Sequence, residues 1–155
     1  MTQHTHTIKY TIYRRPLDTP DDEQLCVAAE QATRLAYAPY SNFKVGAAAR
    51  LSDGQIVSAA NLENAAYPQC LCAEASLLGT VHTQHPGLAI CKIAIATSSQ
   101  NLRKEVAAPC GSCRQQLSEA KARQATPITL MLVDQQEGVH VFEDVGDLLP
   151  FGFSL

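Results

Sequence analysis

The chain has 155 residues, of which 46% are apolar and 17% charged, with a formal net charge of −3. That is the size and composition of one folded domain with a real core, and it excludes a disordered chain. A mildly acidic total without a Lys/Arg run argues against a polymer of phosphates, so no polymeric nucleic acid is expected as a partner. No apolar run is long enough to span a bilayer, and no membrane association is expected.

The N-terminus, MTQHTHTIKYTIYRRP, lacks the basic-then-apolar pattern of a secretory signal, so a cytoplasmic location is expected. Residues 1–15 alternate loosely through Ile8, Tyr10 and Ile12, as an edge strand or a mobile tail would. Thr19-Pro20-Asp21-Asp22-Glu23 is a helix start, with a capping hydroxyl, a first-turn proline and acids at the positive dipole end. Leu25, Ala28, Ala29, Ala32 and Leu35 continue it at helical spacing until Ala38-Pro39. Phe43 to Leu51 reads as a strand, Asp53-Gly54 as a hairpin turn and Gln55 to Ala60 as the returning strand. Helices are predicted from about Cys72 to His82 and from about Cys110 to Ala122. Buried strands are predicted at Leu88 to Ala96 and Ile128 to Val133, with a short strand at Val139 to Phe142. Two strand–helix–strand passages in succession predict a layered α/β domain with a partly parallel sheet.

The six cysteines carry the first chemical signal. In a reducing compartment, clustered cysteines bind metal or do chemistry more often than they form disulfides. Cys26 and Cys91 stand alone among apolar neighbours and read as small buried hydrophobes. Cys110 and Cys113 form a Cys-x-x-Cys pair at a helix start, able to aim two sulfurs at one metal. Cys72, at the start of another helix, offers a third. Three protein ligands leave the fourth position of a zinc ion to water, the mark of a catalytic site. Both helix N-termini favour the thiolate forms.

Glu74 follows Cys72 by two residues. A carboxylate is a poor competitor for so soft a site, but this spacing lets it move protons for a zinc-activated water, as general acid and base. The Cys₃ ligand set with a nearby non-ligating Glu is a described pattern of zinc deaminases. Read from these residues alone, two alternatives stay open. Cys70 can complete a closed, structural four-cysteine zinc site, and Cys110–Cys113 alone is a spacing shared with redox dithiols. His4 and His6 lie in the tail, and His82, His85 and His140 read as surface residues.

The order of motifs along the chain resembles the cytidine deaminase family. Ala38-Pro39-Tyr40-Ser41-Asn42-Phe43-Lys44-Val45-Gly46-Ala47-Ala48 is similar to its opening motif, and Asn61-Leu62-Glu63-Asn64-Ala65-Ala66-Tyr67 to its ribose-binding segment. Cys72-Ala73-Glu74 and Pro109-Cys110-Gly111-Ser112-Cys113-Arg114-Gln115 resemble its two zinc segments. Leu148-Leu149-Pro150-Phe151-Gly152-Phe153 resembles its C-terminal motif. The similarity runs from residue 20 to residue 155, leaving 1–19 as an N-terminal extension.

The resemblance implies a three-layer α/β/α domain with a five-stranded mixed sheet, assembled as a homotetramer with sites at subunit boundaries. It implies a free nucleoside as substrate: hydrolytic deamination of cytidine and 2′-deoxycytidine to the uridines, with release of ammonia, in pyrimidine salvage. Carried over residue by residue, it implies Cys72, Cys110 and Cys113 as Zn²⁺ ligands and Glu74 as proton shuttle. Asn61 and Glu63 would bind the sugar 3′-hydroxyl and Phe43 would pack on the base. Ala65, Tyr67 and Phe153 would be lent to a neighbouring subunit's site, and Arg114 would support the metal. On the residues alone, Phe43 reads equally as core packing, and Asn61 and Glu63 as loop caps.

Three departures stand out. Ala75 follows the shuttle glutamate where the family commonly has Arg, Ala108 stands where Ser is frequent, and residues 1–19 have no counterpart. The blasticidin S deaminases also lack that first Arg but differ in the ribose segment. A deaminase of a modified or other aminopyrimidine nucleoside is therefore the nearest alternative, and a non-enzymatic zinc-stabilised binding domain the next.

Overall fold

The computed structural model describes residues 1–99, 106–136 and 138–154. Its elements are β1 (Thr11–Arg14), α1 (Pro20–Ala32), β2 (Val45–Leu51), β3 (Ile56–Ala60), α2 (Ala73–Gln84), β4 (Ile90–Thr97), α3 (Gly111–Gln124), β5 (Thr129–Val133) and β6 (Gly138–Phe142). The strands form one mixed sheet in the order β1-β6-β5-β4-β2-β3. β4 and β5 pair in parallel, and the other pairings are antiparallel.

Three layers result because the central strands are apolar on both sides. In β2, Ala47, Ala49 and Leu51 join the cluster that holds Leu77 of α2 and Leu117 of α3. Ala48 joins the opposite cluster, with Leu25, Cys26 and Ala29 of α1. The small residues of β2 are what let α1 lie close. A Cβ on Gly46 would stand 2.1 Å from the Ala29 carbonyl oxygen and 2.6 Å from the Thr33 nitrogen.

The helix start is as expected in place but not in detail. The Thr19 side chain makes no capping bond, and instead its carbonyl accepts from the Asp22 and Glu23 N–H groups at 3.0 and 3.1 Å. α1 gives way to a 3₁₀ turn at Thr33–Leu35, which turns Leu35 out to solvent, off the face that its spacing had suggested.

The sheet has six strands where five were expected. The sixth is β1, which comes from the N-terminal extension and pairs with β6 from Thr11↔Val141 to Arg14↔Gly138. Two further contacts fasten it. Tyr10 stacks on His140 and Phe142, with ring centroids 5.7 and 5.2 Å apart. Arg15 bonds Glu23 through Nη2 at 2.6 Å and also pairs with Glu30. That guanidinium holds the Glu23 carboxyl below the usual carboxylate range. The strand covers what would otherwise be an open edge of β6. It also explains why His140, expected at the surface, is buried.

Cys26 is a buried thiol whose pKa burial pushes up to about 12, as an inert hydrophobe's would be. Cys91 is not buried. On β2, Arg50 pairs with Lys92 and Leu51 with Ile90, so Cys91 is the extra residue of a β-bulge and turns outward.

The connections decide where chemistry can sit. α2 runs back toward the start of β4, and α3 begins beyond its end. The N-termini of both helices therefore lie at the carboxyl end of β4, on the sheet face opposite α1, where α/β folds place ligands.

Gly46→Ala should be destabilising, because the clash is with backbone of α1 and cannot be relieved by a rotamer change. Overpacking of this kind costs about 1–3 kcal/mol. For a domain of this size, thermal melting should show Tm lowered by roughly 3–10 °C. A melting curve superimposable on wild type would contradict the close approach of α1 and β2.

Candidate active site

Cys72 is the N-cap residue of α2 and Cys110 the N-cap residue of α3. Cys113 lies in the first turn of α3 and points to the same side. The Cys72 and Cys110 sulfurs are 3.9 Å apart and the Cys110 and Cys113 sulfurs 3.5 Å apart. Tetrahedral zinc with Zn–S bonds of ~2.3 Å separates its sulfurs by about 3.8 Å. The donor set thus fits zinc in both chemistry and spacing. It is the one group of three or more candidate ligands within 4.8 Å of one another among the described residues.

The thiols differ in their readiness to ionise. Burial opposes ionisation of Cys110, but hydrogen bonds from the Cys113 N–H, the Cys113 and Cys72 thiols and the Ser112 N–H together outweigh it and bring its pKa below the ordinary thiol value. Burial raises Cys72 and Cys113, and nearby negative groups, including Glu74, raise them further. Cys70 stands outside the cluster, its sulfur accepting from the Asn64 N–H at 3.2 Å.

Cys72 and Cys110 of the cluster line a cavity of about 570 Å³ whose walls include Phe43, Val45, Leu71, Ala73, Ile95 and Ala107. Glu74 lines it too and is 5% exposed, and burial raises its pKa. Asn61 and Glu63 complete the polar lining. Asn61 Oδ1 accepts from the Val45 N–H at 2.8 Å and Nδ2 donates to the Phe43 carbonyl at 2.9 Å. Glu63 Oε2 accepts from the Tyr40 N–H at 2.9 Å and the Ser41 N–H at 3.3 Å, while Oε1 accepts from the Ser41 hydroxyl. These donors, the Ser41 hydroxyl first, hold the Glu63 carboxyl below its usual range.

The structure does not bring every candidate residue together. Ala65, Tyr67 and Phe153 are exposed and absent from the cavity wall. Tyr67 makes an edge contact with Tyr40 at 6.1 Å. Arg114 does not donate to a sulfur. Its Nε donates to the Pro109 carbonyl at 2.9 Å and its Nη1 to the Leu148 carbonyl at 3.2 Å.

Residues 19–129 match the family model described as the cytidine and deoxycytidylate deaminase zinc-binding region. A cytidine deaminase of Mycobacterium tuberculosis is 36% identical over 127 residues, covering 82% of this chain and 85% of that one. The crystal structure of cytidine deaminase from Burkholderia pseudomallei superposes with a TM-score of 0.73 at 38% identity, covering 84% of this chain and 97% of that one. That from Mycobacterium tuberculosis gives a TM-score of 0.68 at 34% identity, over 88% of this chain and 100% of that one.

The chain belongs to the cytidine and deoxycytidylate deaminase family. It is a zinc-dependent hydrolytic deaminase, and the three-layer fold is that of its solved relatives.

Two residues of this deaminase's site were not singled out by sequence reading. Ser41 joins Glu63 to the Phe43 backbone. Gln115 holds the C-terminal tail, its Nε2 donating to the Phe153 carbonyl at 2.8 Å and its Oε1 accepting from the Phe153 N–H at 3.1 Å. Both sit inside the quoted motifs, but nothing in a motif says which partner a polar side chain has.

Purified protein should contain one zinc per chain by elemental analysis. Cys110→Ser should lose it, while Cys70→Ser should retain it. Equal zinc loss in the two variants would mean that Cys70 is a ligand after all.

Proposed function

We propose that this deaminase hydrolyses cytidine and 2′-deoxycytidine to uridine and 2′-deoxyuridine, releasing ammonia, in pyrimidine salvage. The carrying observation is one largely apolar cavity lined by Cys72 and Cys110 of the thiol cluster, by Glu74, and by Asn61 and Glu63. No Lys or Arg is among its described lining residues. That suits an uncharged nucleoside better than a nucleotide, whose phosphate needs cationic partners.

Cys72, Cys110 and Cys113 would hold the zinc, which when bound supplies Lewis-acid activation of a water near neutral pH. Glu74 does the proton work. Its carboxylate takes one proton from the attacking water and delivers it to ring N3, then takes the remaining proton from the new C4 hydroxyl and delivers it to the amine, which leaves as ammonia as the C4 carbonyl forms. A buried carboxyl with a raised pKa suits proton exchange of this kind. Phe43 packs on the base. Asn61 keeps one N–H and one lone pair uncommitted, and Glu63 keeps a lone pair on Oε1, enough to receive a sugar hydroxyl.

Ala75 favours a second reading. It lies in the first turn of α2 where the family's Arg would stand, and Arg114 spends its donors on carbonyls. That reading is a deaminase of a modified or other aminopyrimidine nucleoside, working without this charge beside the thiolates.

The assembly we propose is a homotetramer, in the cytoplasm, in which Ala65, Tyr67 and Phe153 complete a neighbouring copy's site. Tyr67 and Phe153 are each 70% exposed and Phe151 is wholly so, which is unusual for large apolar side chains without a partner. No helix among the described residues is long and apolar enough to cross a membrane.

Glu74→Gln should keep zinc and fold but lose on the order of 10²–10⁴-fold in turnover of cytidine, followed by ultraviolet absorbance. Wild-type turnover in that variant would remove Glu74 from the mechanism. Zinc-replete wild type without cytidine or deoxycytidine turnover, rescued by Ala75→Arg, would establish the modified-nucleoside reading instead. Light scattering should report a tetramer, and an active monomer would contradict the shared site.

A further inference from the structure

The side chain that ties Glu63 to the Phe43 backbone does not itself line the cavity. Ser41 has one hydroxyl proton and two lone pairs. Its oxygen accepts from the Phe43 N–H at 2.9 Å. An amide N–H can only donate, and the ionised carboxylate of Glu63 can only accept. The Ser41 proton is therefore committed to Glu63 Oε1. The same residue's N–H also reaches Glu63 Oε2, at 3.3 Å. Asn42, between Ser41 and Phe43, has φ 55°, the left-handed turn that folds the chain back so that one hydroxyl can serve both neighbours.

The consequence is directional. Without donors, a carboxylate on a loop such as that of Glu63 samples several rotamers. Here both oxygens are fixed, and the lone pair left free on Oε1 faces a set direction. The Phe43 amide is fixed by the same hydroxyl, so the sugar-end acceptor and the base-packing ring share one reference point.

We infer that Ser41 is a positioning residue for specificity: it aims Glu63 at the sugar 3′-hydroxyl and couples that aim to the placement of Phe43. The inference rests on the proposed reading of Glu63 as a sugar ligand. It assigns selection for a 3′-hydroxyl to a residue that need not touch the substrate.

The test compares cytidine with 3′-deoxycytidine as substrates of the zinc-loaded enzyme. Wild type should prefer cytidine in kcat/KM. Ser41→Ala should shrink that preference by roughly 10-fold, the scale of one charge-assisted hydrogen bond to a ligand hydroxyl. The loss should fall mainly on the KM for cytidine, with a smaller change in kcat. Ser41→Thr keeps a hydroxyl at the same atom and should restore the preference. Thermal melting and zinc content of each variant report separately on folding. Equal slowing of both substrates by Ser41→Ala, or an unchanged preference, would overturn the inference and leave Ser41 a structural cap. A wild type that turns over cytidine without preferring the 3′-hydroxyl would overturn the sugar role of Glu63, and this inference with it. A wild type inactive on cytidine would instead be the failure of the proposed substrate.

Discussion

Everything at the functional end of this molecule depends on two helix N-termini meeting beyond the carboxyl end of β4. Three sulfurs within bonding range of one ion would repel one another as thiolates. Placing Cys72 and Cys110 at N-cap positions answers this through the positive dipole ends, and Cys110 also accepts from the Cys113 N–H. The rest of the fold serves that meeting. The parallel pairing of β4 and β5 obliges α3 to cross over on the face that α2 occupies, and the small side chains of β2 let α1 close the other face without pushing the sheet away.

The electrostatics are divided along the cavity. Two carboxylates lie in it with opposite displacements. Burial pushes Glu74 up, and three donors pull Glu63 down. Acids separated in this way can take separate tasks, and under the proposed function the first exchanges protons while the second receives a hydrogen-bonding ligand. The cationic side of the balance is sparse. Ala75 supplies no charge, and Arg114 acts through the main chain, gripping the carbonyl of the residue before Cys110. It steadies the ligand loop mechanically, which a sulfur-directed arginine would not do.

What the sequence made legible was whatever is local or ordered along the chain. The Cys110–Cys113 spacing on a helix start, Glu74 two residues beyond Cys72, and the β2–β3 hairpin around Asp53-Gly54 are all local signals. That Cys72 meets Cys110 follows only from the motif order. The illegible parts are those fixed by a distant partner. His140 read as a surface residue because nothing in its neighbourhood announces that β1 will cover it. Cys91 read as buried because a bulge is set by the opposing strand. Ser41 and Gln115 were visible as letters of motifs, but their roles depend on which main-chain atoms the fold brings to them. Arg114 was read through its charge, when its geometry makes it a clamp on carbonyls.

The surface around the cavity mouth bears on why the tail is built as it is. Leu62 and Leu71, both lining the cavity, remain 49% and 46% exposed. A site that must keep Glu74 in a poorly solvated setting gains nothing from an open apolar wall, because water at the mouth weakens the electrostatic control inside. The chain carries apolar groups suited to closing such a wall, in Tyr67 and Phe153, yet neither lines its own cavity. Phe153 is moreover not loose. Gln115 pairs with both its N–H and its carbonyl, two residues from Cys113, and so fixes the main chain from which an exposed ring projects. A tail anchored with its ring in solvent makes physical sense if the ring is presented to another copy. A closed, symmetric assembly then repays every copy's open wall with a neighbour's tail, which is why the proposed tetramer and the proposed site are one hypothesis and not two.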